Sequence, residues 1–191
     1  YQQDVAGDGY TLEDTENLTG TTDETVTAAP KVYTGFSENT KHAGRVASGA
    51  IAPDGSLALK LYYDRNTFTV SFDSNDGTAV SDITGVRYEA TIATPEAPTR
   101  TGYTFGGWHK DAGLTTAWSF NSDKVMEATT LYARWTANAD TVYKVEHYQQ
   151  DVAGDGYTLK DTENLTGTTD ETATASATSY TGFAENKAHV G

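Results

Sequence analysis

The sequence predicts a mainly β chain, built as small modules in tandem. Three observations carry this. The first is strand-forming composition: 33 Thr and twelve Tyr in 191 residues, with a single Met, favour strands over helices. The second is a mismatch of two figures. Hydrophobic residues make up only 37%, low for one large core, whereas aromatics at 11% are too many for a disordered polar chain. Several small aromatic-anchored domains reconcile them. The third is an internal repeat. Residues 1–44 recur at 148–191 without a gap, identical at 34 of 44 positions, and over the first 25 only the Glu13/Lys160 pair differs. The offset of 147 exceeds a solenoid unit of roughly 20–50 residues, so each period holds independently folded domains.

The repeat also sets the expected boundaries. The second copy is preceded by Thr141-Val-Tyr-Lys-Val-Glu-His147, and the first continues through Arg45–Arg65. Joined, these pieces make one repeating module, here called X. A different module, Y, lies between its two copies. The expected layout is residues 1–65 as an X module lacking its first strand, 66–136 as a complete Y module, and 137–191 as an X module lacking its last hairpin. Incomplete sheets leave unpaired edges, so the chain is expected to fray at its ends or to associate head to tail.

In X, Val142–Tyr148 alternates with period two, as a half-buried strand does. Asp151-Val-Ala-Gly-Asp-Gly156 ends in Asp-Gly, a strong hairpin signal, and Tyr157-Thr-Leu159 returns; the same turn stands at Asp4–Leu12. Thr21-Thr-Asp-Glu24 has capping-box spacing and predicts a short helix through Ala28, before Pro30. Tyr33 and Phe36 are expected core anchors. Two strands, Arg45–Ile51 and Ser56–Arg65, then flank the turn at Ala52-Pro-Asp-Gly55.

In Y, Phe68, Val70 and Phe72 alternate with Thr67, Thr69 and Ser71 in an opening strand that turns at Ser74-Asn-Asp-Gly77. Val86–Ile92 is an expected strand, and Thr94–Pro98 a helical turn or irregular loop. Tyr103–Trp108 contains Gly106-Gly107, the mark of a bulge or a close backbone approach. Thr115–Phe120 is short and aromatic. Leu131–Trp135 closes the module, and Thr136–Asp140 is a polar link.

Y resembles the Listeria–Bacteroides repeat, or internalin B-repeat, family. The resemblance rests on Val70–Gly77, Pro98-Thr-Arg-Thr-Gly-Tyr-Thr-Phe-Gly-Gly-Trp108, Leu114–Phe120 and Thr130–Trp135. It departs from the family at Tyr88-Glu89-Ala90, where a Gly commonly follows the Tyr. X resembles mucin-binding-protein-type repeats of Gram-positive surface proteins through Tyr143–Tyr148 and Leu57–Tyr63. Both resemblances imply small α+β ubiquitin-like (β-grasp) domains, a sheet wrapping one short helix. They also imply an elongated tandem array in an extracellular adhesin, cell-wall-attached or secreted. The strand pattern alone is compatible with β-grasp without singling it out.

Net charge is −14, which repels phosphate backbones and anionic lipid; nucleic acid and membrane surfaces are poor partners, and the acidity reads first as solubility. With no Cys, thiolate metal sites and disulfides are unavailable. The four His fall in three contexts, His42 and His189 being one repeat position, and none lies at metal-ligand spacing. Ser74, His109 and Asp111 make a triad only on paper, since no nucleophile-elbow context supports it. Asp4–Gly9 fails as an EF-hand, with Ala6 and Thr15 where ligands are needed. A loose calcium site around Asp4 and Asp8, or around Asp73, Asn75 and Asp76, is weaker than a plain turn reading. A module of about 70 residues needs its tryptophans for its own core, so Trp108, Trp118 and Trp135 read as core rather than as a sugar platform. The surface candidates for ligand binding are Tyr62 and Tyr143. The sequons Asn17-Leu-Thr and Asn164-Leu-Thr read as ordinary turn-flanking residues.

The expected function is non-catalytic, without cofactor or metal: a stalk that spaces a distal domain from the cell wall. The alternative is that the repeats themselves bind host mucin-type glycan or a host surface protein. No motif supports an enzyme.

Overall fold

A computed structural model describes residues 1–154 and 156–187 of the chain. It falls into two compact units, Tyr1–Pro98 with Gly107–Arg134, and Thr99–Gly106 with Trp135–Gly191. His189 lies outside the described residues.

The first unit opens with the strands of X: β1 (Gln2–Gln3), β2 (Tyr10–Thr11), β3 (Thr25–Thr27), β4 (Phe36–Glu38), β5 (Ser48–Ala50) and β6 (Tyr63–Arg65). Four of them form a sheet in the order β2-β1-β6-β4. β1 pairs antiparallel with β2 across the Asp-Gly turn and parallel with β6, Gln2 opposite Tyr63. β3 and β5 pair separately.

The strands of Y are β7 (Thr67–Asp73), β8 (Ile83–Arg87), β9 (Tyr103–His109) and β10 (Thr129–Ala137). Their order is β8-β7-β10-β9, with β10 parallel to β7 and Leu131 opposite Phe72. X and Y thus share one plan: the first and last strands lie parallel at the centre, and the hairpin partner of the first lies on one edge. The strand on the other edge starts at the aromatic of a Thr-Gly-aromatic turn, Phe36 in X and Tyr103 in Y. The core sits chiefly in Y. Val70, Val125, Leu131 and Ala133 are fully buried, with Trp108, His109, Ile92, Val86 and Tyr88 around them; Tyr63 is the buried apolar residue contributed by X. Trp108 is buried as expected of a core residue, whereas Trp118 and Trp135 are half-buried.

The second X copy contributes β11 (Thr141–Gln150) and β12 (Tyr157–Gly167), paired antiparallel along their length with a register shift between His147 and Tyr148. Its hairpin register, Gln149↔Thr158 and Gln150↔Tyr157, reproduces Gln2↔Thr11 and Gln3↔Tyr10 of the first copy.

Several expectations are corrected. No helix occurs among the described residues, so they offer none for a sheet to wrap. The helix expected from Thr21 to Ala28 is instead a turn followed by β3. Half of the capping box forms, Thr21 N donating to Glu24 Oε2 at 3.4 Å, while Glu24 N donates at 3.1 Å to the Thr21 backbone carbonyl, as in a turn, rather than to its hydroxyl. Asp23, however, takes φ 67°, which ends any right-handed helix. β-Branched Thr25-Val26-Thr27 then pairs with Ser48–Ala50, where branched side chains fit better. In Y the second strand lies at Ile83–Arg87 rather than Val86–Ile92, and 94–98 is irregular. The long strands expected over Arg45–Ile51 and Ser56–Arg65 shrink to β5, β6 and a bridge between Val46 and Lys60.

Candidate functional site

Two places where one module hands over to the next are built alike. Each lies inside a single unit. At the first, one residue, Asn66, separates β6 from β7. Its N–H donates to Gly35 O at 2.8 Å, and its carbonyl accepts from Tyr88 N at 2.8 Å. Its side-chain Oδ1 accepts from Ser37 Oγ at 2.7 Å. At the second, between β10 and β11, Asn138 N donates to Gly102 O at 2.9 Å and its carbonyl accepts from Thr169 N at 2.9 Å. Asn138 Oδ1 accepts from Thr104 Oγ1 at 2.8 Å. In both, the Asn joins a turn of the preceding module to a turn of the following one through backbone and side chain together.

The local sequence explains why these turns suit the task. Gly35 and Gly102 sit at φ 80° and 82°, a conformation glycine adopts without a Cβ penalty. Their bareness also allows close approach. A Cβ on Gly35 would stand 2.3 Å from the Tyr88 ring, and one on Gly102 would stand 2.8 Å from Thr169 Oγ1. The residue after each contacted position, Glu89 or Asp170, has φ 66° or 64°. The hydroxyl that bonds the Asn lies two residues after the glycine in both cases.

Charge reinforces the first junction. Arg65 spans it, donating from Nε to Gln3 O at 2.8 Å and from Nη1 to Tyr88 O at 3.0 Å and Glu89 Oε2 at 2.6 Å. Its guanidinium also lies 4.8 Å over the Phe36 ring. The side chain is 12% exposed, so the pair with Glu89 is screened less than an open surface pair. Arg87 reaches back across the same junction to the Gly7 carbonyl and to Asp8 at 3.1 Å. At the second junction the Tyr103 hydroxyl donates to Asp170.

These residues were readable as a recurrence that sequence reasoning passed over. Thr34-Gly-Phe-Ser37 and Thr101-Gly-Tyr-Thr104 are each followed, after the module's last strand, by a single Asn. In the second X copy the same turn reads Thr181-Gly-Phe-Ala184, with no hydroxyl at the fourth position.

Of the candidate ligand residues, Tyr62 is half-buried and its ring is engaged. It stacks on His42 at 3.7 Å and on Tyr1 at 4.8 Å, with Tyr10 edge-on at 5.2 Å. Tyr143 is half-buried on β11. Tyr62 belongs to the first unit and Tyr143 to the second. Ser74, His109 and Asp111 do not form a triad. A triad needs its carboxylate on the imidazole Nδ1–H, but His109 Nδ1 is buried without a hydrogen-bond partner. Asp111 instead accepts from Thr115 N at 3.1 Å and Thr116 N at 2.9 Å. Among the described residues no group of three or more His, Asp or Glu is arranged to hold a metal. Asp4 accepts from Thr11 Oγ1, and Asp73 from Asn75 N, as turn carboxylates do.

The amides of Thr115 and Thr116 hold the Asp111 carboxyl below its ordinary range. A pKa lowered on folding contributes stability above the unfolded value, about 3.9, and that contribution is lost as pH falls through the folded value. Asp111→Asn is therefore expected to flatten the acid limb of the unfolding curve below about pH 4 and leave the neutral limb unchanged in slope. An acid titration followed by tryptophan emission checks this, because all three Trp lie between 66 and 135.

Comparison with known proteins follows the same division. Residues 68–134 match the family model described as the Listeria-Bacteroides repeat domain. Over 88 residues, 46% of this chain, the sequence is 39% identical to a protein of Evansella cellulosilytica described as a Gly-rich membrane protein. Over 87 residues, 45% of this chain, it is 32% identical to Internalin H of Listeria monocytogenes. The chain spans 10% and 15% of the lengths of these two relatives. The central module, residues 68–134, is thus the part of the chain that matches the Listeria-Bacteroides repeat domain family.

Proposed function

We propose that this chain is a non-catalytic repeat region of a large bacterial cell-surface protein, extracellular and attached to the wall or secreted, whose modules space a distal domain from the cell. The observation that carries the reading is the doubled asparagine junction. A spacer transmits no reach if its modules swing freely, and a connector of one residue between β6 and β7, bonded on both sides through Asn66, resists swinging. The near-identity of the X copies fits an array lengthened by duplication. The match of residues 68–134 to a repeat family, and the likeness to Internalin H, support a surface-protein setting.

Each module of about 70 residues has an expected radius of gyration of about 11 Å. Small-angle scattering on chains carrying two, four and six modules is expected to show a maximum dimension rising linearly with module number. A compact particle whose size grows only as the cube root would overturn the spacer reading. Direct recognition of mucin-type glycan, the competing function, would appear as binding by one X–Y pair on a glycan array.

A further inference from the structure

An acidic residue in the left-handed region follows each position that a junction asparagine binds through its carbonyl. Glu89 has φ 66° and Asp170 φ 64°, and Asp23, at the repeat position of Asp170, has φ 67°. Glycine takes such a φ freely, whereas a side chain as long as glutamate is uncommon there. A residue held at that cost points to a task for its side chain.

At both junctions the acid takes a donor from the module before it, but the donors differ. Glu89 accepts from Arg65 Nη1 at 2.6 Å, Arg65 being the residue just before Asn66. Asp170 accepts from the hydroxyl of Tyr103, the aromatic just after Gly102. The two sets are complementary. Phe36, the aromatic just after Gly35, has no hydroxyl to offer; Arg65 lies over its ring at 4.8 Å and donates onward. Ala137, the residue just before Asn138, has no cation to offer. Tyr103 donates in its place, with Arg100 over its ring at 4.0 Å.

We propose that these three positions form a lock that selects the neighbouring module: the acid of the following module, and in the preceding one the aromatic after the glycine and the residue before the asparagine. Phe with Arg fits Glu, so Y accepts an X before it. Tyr with Ala fits Asp, so X accepts a Y before it. An X before an X would set Arg65 against an Asp one methylene shorter. A Y before a Y would set the Tyr hydroxyl against the longer Glu, with Ala where that Glu needs a cation. The order X, Y, X in this chain makes both matches. A mismatch leaves a charged hydrogen bond unmade, which is how such bonds serve selectivity. The lock deepens the spacer reading and rests on it for its use, the ordered stacking of unlike modules.

The test follows amide hydrogen exchange residue by residue in the full chain, at the two amides that the junction asparagines hold, Tyr88 on Asn66 O and Thr169 on Asn138 O. Tyr103→Phe removes only the hydroxyl and is expected to speed exchange at Thr169 about tenfold, the effect of losing one hydrogen bond to a charged group, with no change along β7. The triple variant Tyr103→Phe, Ala137→Arg, Asp170→Glu installs the other set at this junction. It is expected to bring Thr169 back to within about threefold of the unaltered chain. Glu89→Gly eases the backbone at its positive φ, yet is expected to speed exchange at Tyr88 about tenfold. Unchanged exchange at Thr169 in Tyr103→Phe, or at Tyr88 in Glu89→Gly, overturns the proposal, because the acids would then hold nothing. No recovery in the triple variant overturns it as well. So does full recovery from Tyr103→Phe with Ala137→Arg while Asp170 is kept, since the length of the acid would then select nothing. Each of these failures leaves the scattering test of the spacer reading untouched.

Discussion

Leu131→Ala is expected to unfold the central module at room temperature. Leu131 is fully buried on β10, beside Phe72 on the parallel strand β7, with Val70 and Val125 also sealed from solvent. Truncating such a leucine removes its transfer free energy and leaves a cavity, together about 2–5 kcal/mol. A single core of this size supplies no more than about 3–5 kcal/mol of net stability, so the loss matches the whole margin. The variant should show red-shifted tryptophan emission and no cooperative transition in urea. Leu131→Met conserves volume and is expected to cost under about 1.5 kcal/mol. Thr130→Ala, on the exposed neighbour, should stay within about 0.5 kcal/mol.

Gly35→Ala tests the junction itself, with Gly182→Ala as an internal control at the same repeat position. Both glycines have positive φ, 80° and 84°, so each alanine meets a conformational penalty of about 1–2 kcal/mol. Only at Gly35 does the new Cβ also collide with a ring. Tyr88 lies 2.3 Å away, is 9% exposed, and packs edge-on against Phe36. Its amide is also held by Asn66 O, so it has little room to yield. Forcing it aside adds about 1–3 kcal/mol. Nothing lies within 4 Å of the Cβ position at Gly182. The midpoint read by tryptophan emission is expected to fall further for Gly35→Ala than for Gly182→Ala, which carries the conformational penalty alone. Equal effects would mean that the approach of Gly35 to Tyr88 contributes nothing to the junction.

Much of the plan was legible along the chain. The repeat set the expected module boundaries, and Asp-Gly marked the X hairpins, which form, although in the first copy the positive φ falls on Gly7 rather than on Asp8 or Gly9. At the Ser74–Gly77 turn the φ demand falls on Asn75 and Asp76, both taking positive φ. The period-two run at Val142–Tyr148 became β11 because each side chain reports its own face. The capping-box spacing at Thr21–Glu24 formed one of its two contacts and a turn, and still led to a strand. Local bonds fix one turn, and whether a helix follows depends on the next residues and on what lies across from them. At the candidate ligand residues the alternation predicted strand faces for Tyr62 and Tyr143; Tyr143 lies on β11, whereas Tyr62 precedes β6, its ring contacting those of Tyr1, Tyr10 and His42.

By itself, then, the sequence determined its internal repeat and its tight hairpin turns, because these depend on near neighbours along the chain. Only the tertiary structure decided what each open strand pairs with. Residues 12–20 and 159–167 are nearly the same string, yet the first carries no strand, its Asp14 and Glu16 being bound by Lys31, and the second pairs with β11. The asparagine junctions needed it as well, since Asn66 joins residues 35, 37 and 88, and Asn138 joins 102, 104 and 169. The reason is common to both. A β-strand or a junction satisfies its backbone groups on distant segments, so its state belongs to the partner as much as to its own residues.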